Sequence, residues 1–168
     1  MSHESRERTY SYHLPMTPAA RAELKGLSGM EVMGRISRGE LPAPPIAATM
    51  NMDIAKVEKG FAVFEAEAGE WAENPLGTVH GGWVSTLLDS ALGCAVHSCL
   101  EAGQGYTTAT LEVKFVRAIY GKTGRLRAEG RVLHVGGKLA VAEAKLVGVA
   151  DGKLYATATT TCVILEQR

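Results

Sequence analysis

Asn74-Pro75-Leu76-Gly77-Thr78-Val79-His80-Gly81-Gly82 runs directly into Trp83-Val84-Ser85-Thr86-Leu87-Leu88-Asp89-Ser90-Ala91-Leu92-Gly93-Cys94-Ala95-Val96-His97. The first nine residues carry the Pro and Gly of a loop, and those that follow repeat apolar residues at helical spacing. At about 100° per residue, Val84, Leu87, Leu88, Ala91, Leu92, Cys94, Ala95 and Cys99 share one broad side, while Ser85, Thr86, Asp89, Ser90, Gly93 and His97 share the other. A helix face open to water normally carries Lys, Arg or Glu, yet Asp89 is the only such charge between Gly81 and Leu100. The pattern predicts a helix covered on both sides, by the rest of the chain on one and most simply by a second copy on the other. Between two such helices Asp89 would lie in a cleft, placed to act as a base or nucleophile.

The helix start supplies a complementary group. Its first-turn N–H groups lack intrahelical acceptors and sit at the positive end of the peptide dipoles. Gly81 and Gly82 remove side-chain bulk, so these donors can approach a ligand oxygen. A carbonyl oxygen that turns anionic in a transition state would be stabilised there.

Outward from this junction, the chain reads as strands. Residues 49–57 and 61–68 alternate like a hairpin around Glu58-Lys59-Gly60, and residues 106–116, 124–135, 139–149 and 154–165 give four more strand signals. Gly136-Gly137 and Asp151-Gly152 are short enough for tight turns. Two strands, a helix fading near Gly103 and a four-strand meander predict an α+β domain: one curved antiparallel sheet of about six strands with the long helix on its concave face. Ahead of it, Thr17 caps a short helix with Pro18 at its first position, residues 28–38 form a second, and Leu41-Pro42-Ala43-Pro44-Pro45 reads as an extended connector. The division expected is an N-terminal extension over residues 1–45 and the sheet domain over residues 46–168, with residues 1–14 either mobile or lying on the surface.

Composition excludes several partners. Acidic and basic residues number 18 each in 168, and 46% of residues are hydrophobic, so no basic field exists to hold nucleic acid or a membrane surface. Cys94, Cys99 and Cys162 are odd in number and lack framework spacing, and no apolar leader opens the chain. A soluble, cytoplasmic protein is expected. His80, His97, Cys94 and Cys99 fit no usual zinc spacing, so no metal is expected.

The combination of Asn74, His80, Gly81, Gly82 and Asp89 at these spacings resembles the signature of hotdog-fold acyl-CoA thioesterases, of the phenylacetate-pathway and 4-hydroxybenzoyl-CoA type. The resemblance covers roughly residues 47–165. It implies that the Gly81 N–H and Asn74 polarise the thioester carbonyl, that His80 shapes the site or meets the leaving sulfur, and that Asp89 of a partner subunit activates water or attacks directly. It also implies a hydroxyl early in the strand after the helix, best matched by Thr108 with Thr107 and Thr110 as competitors. Gly82 and Trp83 would border the substrate, against the ordinary reading of Trp83 as an interface anchor or core residue, no cofactor is needed, and the assembly would be a homodimer or homotetramer with sites between subunits. Lys114, Arg117 and Lys138 are candidates for CoA phosphates, against the ordinary reading of solvated surface charges. Two departures stand out: Ala118 follows Phe115-Val116-Arg117 where some relatives carry Pro, and Gly93 occupies a position that is a hydroxyl in another branch. The alternatives are a hotdog hydratase or dehydratase acting on acyl-CoA or acyl carrier protein, and a non-catalytic acyl-CoA binding protein.

Overall fold

The computed structural model describes residues 4–14 and 16–166. Three short helices come first, α1 (Pro18–Leu24), α2 (Gly29–Ser37) and α3 (Pro45–Met50), followed by β1 (Met52–Glu58), β2 (Phe61–Ala66) and the long α4 (Gly81–His97). Then come β3 (Gln104–Phe115), β4 (Leu126–Val135), β5 (Leu139–Gly148) and β6 (Leu154–Glu166). The six strands form one antiparallel sheet in the order β1-β2-β4-β5-β6-β3, with α4 packed on its inner face. This is the helix-wrapped α+β architecture expected above.

Small residues on the sheet bring the helix close. Ala62, Ala66, Ala128, Ala140, Ala142 and Ala156 point inward with no exposed surface, and α4 fills the space above them with Leu87, Leu88 and Leu92. At Gly130 a Cβ would run into the Ala91 backbone, so only glycine lets β4 pass beneath the helix there. Gly29 plays the same part at the other end, where a Cβ would collide with the His97 carbonyl and where its own N–H donates to Leu100 O at 2.9 Å. Thus α2 docks backbone to backbone on the last turn of α4.

Local chemistry accounts for the helix starts. Thr17 Oγ1 accepts from Ala20 N at 3.2 Å with Pro18 first in the helix, and Ser28 and Glu31 form a reciprocal capping box. The proline run departs from its expected role as a purely extended connector. Pro44 caps α3 and Pro45 is its first residue, because a φ fixed near −65° suits a first helical turn as well as an extended chain. Asn51, at φ 53°, ends α3, so β1 begins at Met52 rather than at Thr49.

Two further differences concern α4 and the strands after it. Ser98 ends the helix well before Gly103, its hydroxyl donating to Ala95 O at 2.7 Å and accepting from Gly60 N at 2.8 Å. The last four strands are no simple meander, since β3 crosses to the far edge and pairs with β6. The connection between Phe115 and Leu126 is too long for a hairpin and carries a 3-10 turn at Gly121–Thr123, which lets β3 leave its sequence neighbour. Among the described residues no helix is long and apolar enough to cross a membrane.

Candidate active site at the start of the long helix

Asn74 builds the loop ahead of α4. Its Oδ1 accepts from Leu76 N at 2.9 Å and Thr78 N at 3.3 Å, its Nδ2 donates to Thr78 Oγ1 at 2.9 Å, and its backbone N–H donates to Thr78 O at 2.8 Å. Gly77, at φ 73°, closes this turn. The Asn74 side chain is therefore occupied with its own loop, leaving one Nδ2 hydrogen for any ligand. The loop is tied to the body by Val79 N donating to Ile119 O and His80 N donating to Ala72 O.

His80 is the N-cap of α4, and its Nδ1 accepts from Gly82 N at 2.9 Å. An accepting Nδ1 puts the proton of a neutral ring on Nε2. The Gly82 N–H is thereby used, whereas the Gly81 N–H finds no acceptor among the described residues. Of the two glycines, Gly81 carries the open donor. A Cβ on Gly81 would come within 3.0 Å of the Phe115 ring, which stands over it from the end of β3.

Asp89 lies two turns along, half-buried, and accepts from Thr108 Oγ1 at 3.0 Å through Oδ1. A bulge at Ala109 decides which threonine can do this. Thr108 pairs with Cys162 and Thr107 with Val163, so Thr108 shares the inner face with buried Cys162 while Thr107 points to the outer face. Beyond the bulge Thr110 is committed to backbone, its Oγ1 accepting from Thr161 N at 3.2 Å and its carbonyl accepting from Thr160 Oγ1 at 2.7 Å. Of the three candidates, only Thr108 meets Asp89.

The other hydroxyls of this face are satisfied within the helix. Ser85 donates to Gly81 O, Thr86 to Gly82 O and Ser90 to Thr86 O, at 2.8–2.9 Å. Gly93 departs from the expected polar side, being buried under Tyr106, whose hydroxyl a Cβ would strike. Cys94, expected with the core, packs against it with part of its surface open, and Cys99 is half-buried. Burial, with Asp89 adding its charge, pushes the Cys94 thiol up to about 12, and burial also raises Cys162, so neither is a ready nucleophile. Burial holds the His97 imidazole below its ordinary value, with the Tyr106 ring 5.8 Å away. Among the described residues no three His, Cys, Asp or Glu side chains are placed to hold a metal.

Two clefts flank the helix start. One of about 320 Å³ includes Gly81, Val84, Phe115, Arg117 and Ile119. The other, of about 490 Å³, includes Met50, Trp71, Glu73, His80, Gly82 and Trp83, with Trp83 Nε1 donating to Met50 O at 3.0 Å. Of the candidate phosphate contacts, Arg117 lines the first cleft. Lys114 instead pairs with Glu112 on the outer face of the sheet at 3.4 Å, and Lys138 lies in the β4–β5 turn. The Gly81 N–H and Asp89 of one chain are separated by eight residues, about 12 Å along a helix axis. A single carbonyl cannot touch both.

Sequence reasoning missed the N-terminal anchor. The Arg8 guanidinium lies 3.6 Å from the Trp71 ring centroid, and its nitrogens donate to Thr49 O at 2.9 Å and Ala48 O at 3.3 Å, capping the end of α3. Arg6 holds both Glu70 oxygens at 2.8 and 2.9 Å. No periodicity in residues 4–14 marks this segment.

Residues 76–154 match the family model described as the thioesterase superfamily. A crystal structure of a candidate thioesterase related to phenylacetic acid degradation, from Ralstonia eutropha JMP134, is 33% identical with a TM-score of 0.71, over 77% of this chain and 97% of that one. A candidate esterase of Saccharolobus solfataricus is 30% identical over 126 residues, 75% of this chain and 87% of that protein. The 1,4-dihydroxy-2-naphthoyl-CoA hydrolase of Listeria monocytogenes is 26% identical over 120 residues, 71% of this chain and 95% of its own length.

Proposed function

We infer, from the premise that this chain belongs to the thioesterase superfamily and is a thioester hydrolase of the hotdog fold, that it splits a small, medium-chain or aromatic acyl-CoA into the free acid and CoA. The aromatic preference is supported by two relatives, one named for an aromatic acyl-CoA and one for phenylacetic acid degradation. The observation that carries the mechanism is a pair of unfinished groups. The Gly81 N–H has no acceptor, and Asp89 has one oxygen held by Thr108 while Oδ2 accepts nothing among the described residues.

These two groups are too far apart in one chain to share a carbonyl, so the site is completed by a second copy whose Asp89 faces the first copy's Gly81. The small face of α4 supports this, since the Ser85, Thr86 and Ser90 hydroxyls keep the hydrogen bonds they donate to backbone carbonyls when water is removed. The thioester oxygen accepts from the Gly81 N–H. Asp89 Oδ2 of the other copy takes a proton from water as the water oxygen bonds to the carbonyl carbon. The tetrahedral oxyanion is held by the N–H, the carbon–sulfur bond breaks with its electron pair going to sulfur, and the proton passes from Asp89 to the thiolate. His80 and Asn74 act in this scheme as positioning residues that hold the donor in place.

The test is a panel of acyl-CoAs followed by release of free thiol, with Asp89→Asn and Gly81→Pro alongside the parent. Proline suits the first helical position and the extended backbone of His80 before it, so Gly81→Pro removes the donor at the start of α4, and Gly81→Ala, which keeps the donor, reads what a Cβ beside the Phe115 ring costs by itself. Asp89→Asn is expected to lose on the order of 100-fold or more in kcat with an unchanged melting temperature, and Gly81→Pro to lose as much relative to Gly81→Ala. Hydrolysis at parental rates in either would overturn the mechanism.

A further inference from the structure

The outer face of the sheet, turned away from α4, carries charges in two neighbouring rows. Strand register aligns Arg131 of β4, Glu143 of β5, Thr159 of β6 and Glu112 of β3 across the sheet, and two residues away on the same strands it aligns Glu129, Lys145, Thr157 and Lys114. Each of the three charged strands therefore shows one cation and one anion here, and the sign reverses between the rows on all three. Thr157 and Thr159 keep the lane between β5 and β3 low, so the longer side chains rim a depression of about 490 Å³. Within the chain the charges are unevenly matched. Lys145 pairs with Glu129 at 3.0 Å and Lys114 with Glu112 at 3.4 Å. Arg131 lies over the Phe61 ring, 4.9 Å from its centroid, and neither it nor Glu143 has an ion-pair partner among the described residues.

We propose that this face packs on the same face of a second copy, about a two-fold axis that runs across the strands between the two rows. Such an axis turns each row over onto the other. Arg131 then meets Glu129 of the second copy, Glu143 meets its Lys145, Glu112 meets its Lys114 and Thr159 meets its Thr157. Every charge in the two rows faces its opposite, and Arg131 and Glu143 gain the partners they lack within the chain. Face-to-face sheets lie about 10 Å apart, a gap that a long cation and a glutamate close between them. Cross-strand attraction alone would be served equally by two cations on β4 opposite two anions on β5. The reversal along each strand is what a self-complementary contact adds. The contact lies on the side of the sheet away from α4, so it joins a second pair of chains without competing for the Gly81–Asp89 face, and it stands whether or not the chain is a hydrolase.

Sedimentation velocity of the full chain at micromolar concentration reads the contact in the parent, Glu143→Lys, Lys145→Glu and the double exchange of both. The parent is expected to have the mass of four chains, paired through α4 and through this face. Glu143→Lys puts two cations on β5 and Lys145→Glu two anions, so each variant opposes its own sign across the axis and is expected to fall to half the parental mass. The two single variants are complementary to each other, and mixing them in equal amounts is expected to restore the parental mass, which also shows that both are folded. The double exchange inverts the order of signs at constant net charge and is expected to keep that mass. Equal masses for the parent and both single variants would overturn the proposal, as would a mixture or a double exchange that stays at half mass. A parent of two chains that becomes monomeric in the single variants would keep this contact and remove the pairing through α4.

Discussion

Asp89 and Thr108 meet across the seam between α4 and β3, and their hydrogen bond makes neighbouring threonines distinguishable. Thr108 fixes one carboxylate oxygen and so aims the other. Removing its hydroxyl leaves Asp89 free to rotate, and Thr108→Ala is expected to lower kcat about tenfold, with Thr108→Ser restoring most of it. Thr107, one residue away, faces outward, and Thr107→Ala is expected to match the parent. Steady-state rates on one acyl-CoA decide this: equal losses in both alanine variants would contradict the assignment of the inner face. Three threonines within four positions offer the same hydroxyl to a reader of the sequence, and the bulge at Ala109 that separates them depends on pairing with β6.

At the scale of elements, the close approach of α4 to the sheet depends on glycine as much as on leucine. A methyl group at residue 130 has no space against the Ala91 backbone, so Gly130→Ala must push β4 and α4 apart. A loss of about 2 kcal/mol or more in unfolding free energy is expected, read by urea titration. The far end of α4 carries a pH dependence. Burial disfavours the charged form of His97, so its folded pKa lies below the unfolded value of 6.5. Above that unfolded value the residue is neutral in both states and costs nothing. As the pH falls below it, the unfolded chain takes up a proton that the folded chain resists, and stability declines. The melting temperature is expected to drop between pH 7.5 and pH 5.5 by less in His97→Gln than in the parent. Parallel curves would show that His97 is not the responsible group. The position of His97 in the last turn, where the helix dipole favours a cation, does not outweigh burial here.

For the whole molecule, the proposed site joins two copies, and mixed assemblies test it without any structure of the complex. Asp89→Asn and Gly81→Pro are each inactive alone under this scheme. A hybrid dimer holds one site with both lesions and one with neither. Random mixing of equal amounts by co-expression makes about half the dimers hybrid, so roughly a quarter of parental activity should return. Activity no higher than that of the separate variants would mean that each site is built from one chain. Sedimentation of the parent as a monomer at micromolar concentration would say the same.

What the linear chain determined by itself is the set of elements and the chemistry at one junction. Local physics sufficed: Thr17 with Pro18 and the Ser28–Glu31 box cap helices through short-range bonds, and alternation marks strands whichever neighbours they find. The charge-poor face of α4 was likewise legible, since a helix with Asp89 as its one charge cannot be solvated like an ordinary surface helix. Tertiary structure decided matters that depend on residues far apart in sequence. Strand order is one, because nothing within residues 104–115 says that their partner is β6 rather than β4. The double use of prolines is another, since Pro44 and Pro45 suit both an extended chain and a helix start, and packing chose the helix. The engagement of Asn74 with its own turn, the open donor at Gly81 beside a used one at Gly82, and the clamp of Arg8 on Trp71 complete the set. Each depends on which polar group finds a partner at hydrogen-bond or stacking distance, and that distance exists only once the chain has folded.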